Sequence, residues 1–244
     1  MNSANNTILI TGGASGIGFA LAKRFLQSGN TIIICGRRQE QLDKVKSEFP
    51  EINIIKCDLS KPSEREALFS QVSKQFPLLN IIINNAGIQN RLPLLLEKQA
   101  WDMHELEIEI NLKAPMHLSM LFIPFLMNKK SSTIINVSSG LAFTPLAFMP
   151  TYCATKSALH SFTLSLRHQL NKTSIKVVEL IPPAVNTDLG GVGLHDDGTP
   201  LEVFADHAFS CLLKGEEEFG FGFSEKARLA SKEEKDLIFS RMNG

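Results

Sequence analysis

Apolar positions along the chain fall into two alternating textures. Short runs rich in isoleucine and valine occupy residues 7–11, 31–35, 52–57, 79–84, 133–138 and 175–181. These runs are nearly continuous, as expected of strands buried on both faces of a parallel sheet. Each is followed by a longer segment whose apolar residues recur at helical intervals, over 16–28, 39–48, 63–76, 97–127, 151–170 and 201–213. A weaker strand over 218–223 and a charged helix over 232–241 close the chain. Strict alternation of strand and helix predicts right-handed βαβ units. The expected fold class is therefore α/β, a single-domain doubly wound fold over 1–244 with a parallel, seven-stranded sheet. Only the stretch from Thr187 to Pro200, rich in glycine and aspartate, reads as an extended loop. It is a candidate lid over bound substrate.

Composition narrows the function classes. Of 244 residues 43% are hydrophobic, enough for a large core, and 25 basic side chains balance 25 acidic ones. No basic stripe marks a nucleic-acid or other polyanion partner. The four cysteines, Cys35, Cys57, Cys153 and Cys211, show no paired or metal-type spacing, and the six histidines show none either. Small buried thiols in a reducing compartment are expected, with no metal. The polar start, Met1 to Asn6, is unlike a secretory segment. The most apolar later stretch, Leu118 to Met127, is about half a membrane span and contains Pro124. A soluble, cytoplasmic protein is expected.

The first strand runs into Thr11-Gly12-Gly13-Ala14-Ser15-Gly16-Ile17-Gly18 and then a helix. Glycines here allow a tight turn and close backbone approach to a pyrophosphate, held by the N–H groups and positive end of the helix. The spacing is G-x-x-x-G-x-G rather than G-x-G-x-x-G, and a plain tight turn has the same appearance. After the second strand, where an NAD site usually presents an acid, the chain reads Cys35-Gly36-Arg37-Arg38. Forked guanidinium donors suit a 2′-phosphate, which favours NADP over NAD.

Tyr152, the chain's only tyrosine, precedes Lys156 by one helical turn, so the two share a helix face. An ammonium beside a phenol lowers its pKa, and a tuned phenol gives or takes a proton at a carbonyl or alcohol oxygen. The spacing alone arises readily by chance. Two small polar segments, Ser138-Ser139-Gly140 and Asn84-Asn85-Ala86-Gly87, end strands at the edge where open α/β sheets bind ligands.

Together these features closely resemble the short-chain dehydrogenase/reductase family. The ordered set is Thr-Gly-x-x-x-Gly-Ile-Gly (11–18), Cys-Asp-Leu (57–59), Asn-Asn-Ala-Gly (84–87), Ile-Asn (110–111), Ser-Ser (138–139), Tyr-Cys-Ala-Thr-Lys (152–156) and Ile-Pro-Pro-Ala-Val-Asn-Thr (181–187), spanning nearly the whole chain. The resemblance implies a Rossmann fold and a catalytic tetrad of Asn111, Ser139, Tyr152 and Lys156. Ser139 is preferred to Ser138 by its distance from Tyr152. It also implies cofactor contacts from Gly12, Ser15, Gly16, Ile17, Gly18, Leu59 and Pro182. Asp58 would meet the adenine, and Asn85, Ala86 and Gly87 would flank the ribose. Lys156 would touch the nicotinamide ribose, Asn111 would hold a relay water, and Val185 and Thr187 would bracket the nicotinamide. Pro183 departs from the family's usual glycine and stiffens the backbone beside that contact. The tail, with Phe219-Gly220-Phe221-Gly222, resembles a narrower subgroup whose likeness fixes no substrate.

The expected chemistry is hydride transfer between NADP(H) and a carbonyl or secondary alcohol, in a homodimer or homotetramer built on the helices over 97–127 and 151–170. A non-catalytic NADP(H)-binding regulator on the same fold is an alternative. A nucleotide-sugar epimerase or dehydratase is a weaker one, since about sixty residues after Pro183 leave little room for a substrate domain. The apolar segment Leu141 to Met149 is expected near a partly hydrophobic substrate, with much of it filling core or subunit contacts. His160 is expected in helix packing or an interface, and Trp101 as a packing anchor.

Overall fold

The computed structural model describes residues 2–91 and 101–244. Seven parallel strands form one sheet: β1 (Thr7–Thr11), β2 (Thr31–Gly36), β3 (Asn53–Lys56), β4 (Leu79–Asn84), β5 (Ser132–Val137), β6 (Ile175–Ile181) and β7 (Glu218–Gly220). Their order is β3-β2-β1-β4-β5-β6-β7. The chain reverses its winding between β1 and β4, which opens a crevice at their C-terminal ends.

The helices are α1 (Gly16–Gln27), α2 (Gln39–Glu48), α3 (Pro62–Gln75), α4 (Trp101–Ile108), α5 (Ala114–Met127), α6 (Pro150–Leu170), α7 (Leu201–Lys214), α8 (Phe223–Leu229) and α9 (Lys232–Asn243). Alternate strand residues feed two cores. Ile8, Ile10, Ile32, Ile34, Ile81 and Ile83 pack against Leu21 and Phe25 of α1, Leu42 of α2 and Phe204 of α7. Their neighbours Leu9, Ile33, Ile82 and Ile134 pack on the other face against Leu68 of α3, Phe122 of α5 and Leu166 of α6. Burial on both faces explains why the strands read as unbroken apolar runs.

Two elements and one residue differ from expectation. The long helix expected over 97–127 includes residues 97–100, which lie outside the described residues. From Trp101 to Met127 it is continuous but passes through a π-helical segment, Glu109–Lys113, where the Ala114 N–H bonds the Glu109 carbonyl. Pro115 contributes to this slip, because it lacks the N–H that an α-helix would offer to the Asn111 carbonyl. This run is also long and apolar enough to cross a membrane, unlike the shorter stretch read from the sequence. In the fold its Leu118, Phe122 and Leu126 are buried against the sheet.

The closing strand is shorter than expected, because Gly222 (φ 55°) turns the chain into the short helix α8. Trp101 is 64% exposed and stacks on His104 instead of anchoring a core. It lies on the outward face at the first turn of α4.

Candidate active site

The turn from β1 to α1 allows almost no side-chain bulk. A Cβ on Gly18 would fall 2.4 Å from Asn85 Nδ2, and one on Gly12 (φ +63°) 2.9 Å from Ala86 Cα. Thr11 Oγ1 accepts from the Asn85 and Ala86 N–H groups at 3.0 Å each, and Asn85 Nδ2 donates to the Thr11 carbonyl at 2.9 Å. These bonds lock the ends of β1 and β4 together beneath the turn. Ser15 precedes α1 without a side-chain cap, and no acid sits in its first turn. The N–H groups and positive helix end therefore remain available to an anion. Ile17 is half-buried beside them, and Gly16 would bring a Cβ within 3.5 Å of Thr187.

Arg37 and Arg38 stand exposed where β2 ends. Asp58 follows β3, and its Oδ1 accepts from the Ser60 hydroxyl (2.7 Å) and N–H (3.1 Å). Burial works against its charge, but those donors and Arg37 hold its carboxyl below the usual range. Leu59 is buried and shares a narrow crevice with Thr11 and Ala86. Pro182 accepts through its carbonyl from the Gly140 N–H at 2.9 Å. Val185 is committed to the core packed with α1 and α7, so its side chain is less free than expected to flank a ligand.

Four residues from three elements converge at the ends of β4 and β5. Ser139 Oγ accepts from the Leu141 N–H at 3.1 Å, and its hydroxyl acts on the nearby Tyr152 phenol to lower its pKa. Ser138 turns the other way and donates to Glu179 at 2.5 Å. Lys156 Nζ donates to the Val137 carbonyl at 2.9 Å and lies 5.7 Å from the centre of the Tyr152 ring. The Asn111 amide exchanges hydrogen bonds with the Ile88 backbone, 2.8 and 2.9 Å, and reaches Thr155 Oγ1 at 3.3 Å. Gly87 fits between Asn111 and Lys156, where a Cβ would meet Asn111 Oδ1 at 3.3 Å.

Burial dominates the electrostatics of the pair. Burial pushes the Tyr152 phenol well above its ordinary range, and the neighbouring Ser139 hydroxyl offsets only part of that. Burial also lowers Lys156 to about 8, against the pull of Glu107 and Glu179. An ammonium so close to neutrality, and already donating to Val137, stabilises a phenolate less than a full cation would.

The short chain dehydrogenase family model matches residues 6–195. The chain belongs to that family. Over its full length this short-chain dehydrogenase is 44% identical to the oxidoreductase DltE of Bacillus subtilis, covering 98% of that protein. It is 30% identical to the NADP-dependent 3-hydroxy acid dehydrogenase YdfG of Escherichia coli, over 81% of this chain and 80% of that one. The fold matches that of a short-chain dehydrogenase from Burkholderia cenocepacia in complex with NADP, with a TM-score of 0.84, 22% identity and 99% coverage of both chains. DltE bears out the narrower likeness of the tail.

Two polar groupings went unread in the sequence. His160 Nδ1 meets the fully buried Glu179 at 2.8 Å, and with Glu218 their ligand atoms lie within 4.8 Å of one another. Residues so far apart in the chain carry no metal-type spacing. Their atoms are engaged by Ser138, Arg167 and Arg228. The second is Glu107, buried one turn before Asn111, whose Oε1 accepts from the Asn90 N–H at 2.8 Å. A lone acid among Glu105 and Glu109 looks like part of a solvated face, so no linear signal distinguished it.

Proposed function

We propose that this dehydrogenase interconverts a carbonyl compound and a secondary alcohol with NADP(H), and that Tyr152 is its acid/base. The observation that carries the reading is a buried phenol beside Ser139, with Lys156 anchored on the Val137 carbonyl one helical turn away. A phenol held protonated is ready to give its proton to a developing alkoxide oxygen. Ser139 steadies that oxygen by hydrogen bonding. Lys156 holds the local geometry from Val137, and Asn111, with its amide fixed on Ile88, positions the water that resupplies the proton.

The glycine turn and the open end of α1 suit the pyrophosphate, since any Cβ at Gly12 or Gly18 would fill that space. Arg37 and Arg38 suit a 2′-phosphate, a preference also supported by the NADP dependence of YdfG. The other contacts come from Ser15, Gly16, Ile17, Asp58, Leu59, Asn85 to Gly87, Pro182, Val185 and Thr187. When bound, the nicotinamide supplies or accepts the hydride at the substrate carbon. The loop 187–200 closes over the substrate, and copies of the chain associate through α5 and α6, whose outer faces expose Met120 and Leu164.

The test is NADPH consumption across a panel of ketones and aldehydes. Tyr152→Phe abolishes it while NADPH titration shows near-normal binding, and Arg37→Ala erodes the preference for NADPH over NADH. A phenylalanine variant that keeps most of its turnover refutes the acid/base role. Tight binding with no turnover of any carbonyl by the wild type would favour a regulator.

A further inference from the structure

Residues 104, 107 and 111 form one stripe along α4 and the π segment, the i, i+3, i+7 face that meets α6. At one end His104 Nδ1 contacts Thr151 Oγ1 at 2.7 Å, and at the other Asn111 Nδ2 reaches Thr155 Oγ1 at 3.3 Å. Glu107 lies between these contacts. Its carboxyl is therefore set against the stretch of α6 that carries Tyr152 and Lys156.

The side chain is 1% exposed. Oε1 accepts from the Asn90 N–H, and among the described residues Oε2 is buried without a hydrogen-bond donor. A buried carboxyl oxygen without a donor is costly, so its retention calls for an explanation beyond packing.

We propose that Glu107 is a positioning residue that sets the ionisation of the Tyr152–Lys156 pair through space, favouring the protonated form of each. The titratable groups facing it from α6 are Tyr152, Cys153 and Lys156, and His104 neighbours it on α4. The signs agree. Burial is the largest influence on all three groups, and a carboxylate at this place adds to it at the Tyr152 phenol and the Cys153 thiol while opposing it at the Lys156 ammonium. Burial brings Glu107 itself up to about 7, although Asn90 and Lys156 pull it down, so its charge changes near neutrality. Protonation of Glu107 thereby alters both partners in the range where a reductase works.

The proposal rests on Tyr152 as the acid/base, yet its test uses no substrate. Because Tyr152 is the only tyrosine, phenolate ultraviolet absorbance during an alkaline titration reports this one side chain. Circular dichroism confirms that the chain stays folded at each pH. In Glu107→Gln the phenolate-to-phenol ratio at a fixed pH rises roughly tenfold, the scale of one charge about 12 Å away at an effective dielectric of about 20. Labelled-lysine carbon NMR shows Lys156, assigned by its loss in Lys156→Arg, titrating lower. Glu107→Asp keeps the charge and leaves both midpoints near wild type.

An unchanged phenolate ratio and lysine midpoint in the glutamine variant would falsify the proposal, as would an aspartate variant that shifts as far as the glutamine one. Should the glutamine variant lose its fold, carboxyl-carbon NMR of wild-type Glu107 decides. Titration near neutrality supports the proposal, and an ordinary glutamate value overturns it. None of these readouts depends on finding a carbonyl substrate, so a failed substrate screen counts against the functional reading alone.

Discussion

At the end of β5 two neighbouring hydroxyls point to different tasks. Ser139 faces Tyr152, while Ser138 donates to a carboxylate that is wholly buried in β6. Alanine at each position should separate these roles. Ser139→Ala lowers turnover on the order of 10²-fold, the typical cost of removing one donor to a developing oxyanion, with little change in melting temperature. Ser138→Ala leaves Glu179 short of a donor and costs about 1–3 kcal/mol of stability, read as a lower denaturation midpoint. If Ser138→Ala lost turnover without stability, the two assignments would have to be exchanged. The sequence favours Ser139 only through family spacing, because nothing in a Ser-Ser pair says which hydroxyl turns outward. The bond from Ser138 to Glu179 turns that hydroxyl away from Tyr152, and a lone glutamate inside an apolar strand run gives no hint of its partner.

Among the elements, all seven strands and most helices were legible because the strands are apolar runs and each helix is apolar on one face. What escaped depended on tertiary context. The π segment needs the backbone register around Pro115, and α8 depends on Gly222 adopting a positive φ after a short edge strand. Glu107 escaped for a related reason, since its face of α4 is defined only by where α6 lies. The π segment invites a direct test. Pro115→Ala restores an N–H that can bond the Asn111 carbonyl, drawing the segment back toward α-helical register. We expect stability to hold or rise. Turnover should fall, by as much as ~10²-fold if Asn111 shifts by about an ångström. Retained turnover would mean that Asn111 keeps its place without the π register.

Across the whole molecule, polar ties join pieces that the apolar cores leave loosely defined. Arg167 donates to the Val177 and Glu217 carbonyls and pairs with Glu218, which Arg228 of α8 also engages. His160 meets Glu179 beside them, linking α6 to β6. The hydrogen bond to Glu179 raises the His160 pKa above its ordinary value, against a smaller effect of burial. A group raised on folding contributes stability that is fully present below its unfolded pKa and lost as pH climbs through the folded one. Between about pH 6 and pH 8 the wild-type denaturation midpoint should therefore fall more than that of His160→Gln, which cannot titrate. Parallel curves for the two proteins would show that the contact contributes nothing through charge.

The loop from 187 to 200 begins and ends at the same place. Val185 pairs with Thr199, and reciprocal backbone bonds of 2.8 and 2.9 Å join Ala184 and Asn186 to Thr199. The intervening residues form a closed excursion whose two ends are stitched together, and the sheet below does not depend on its length. Closure entropy grows only slowly with added residues. The excursion is thus a natural insertion point. Segments of different length and polarity can be exchanged there while the strand ends below keep their geometry, so this stretch of surface can diversify independently of the fold beneath it.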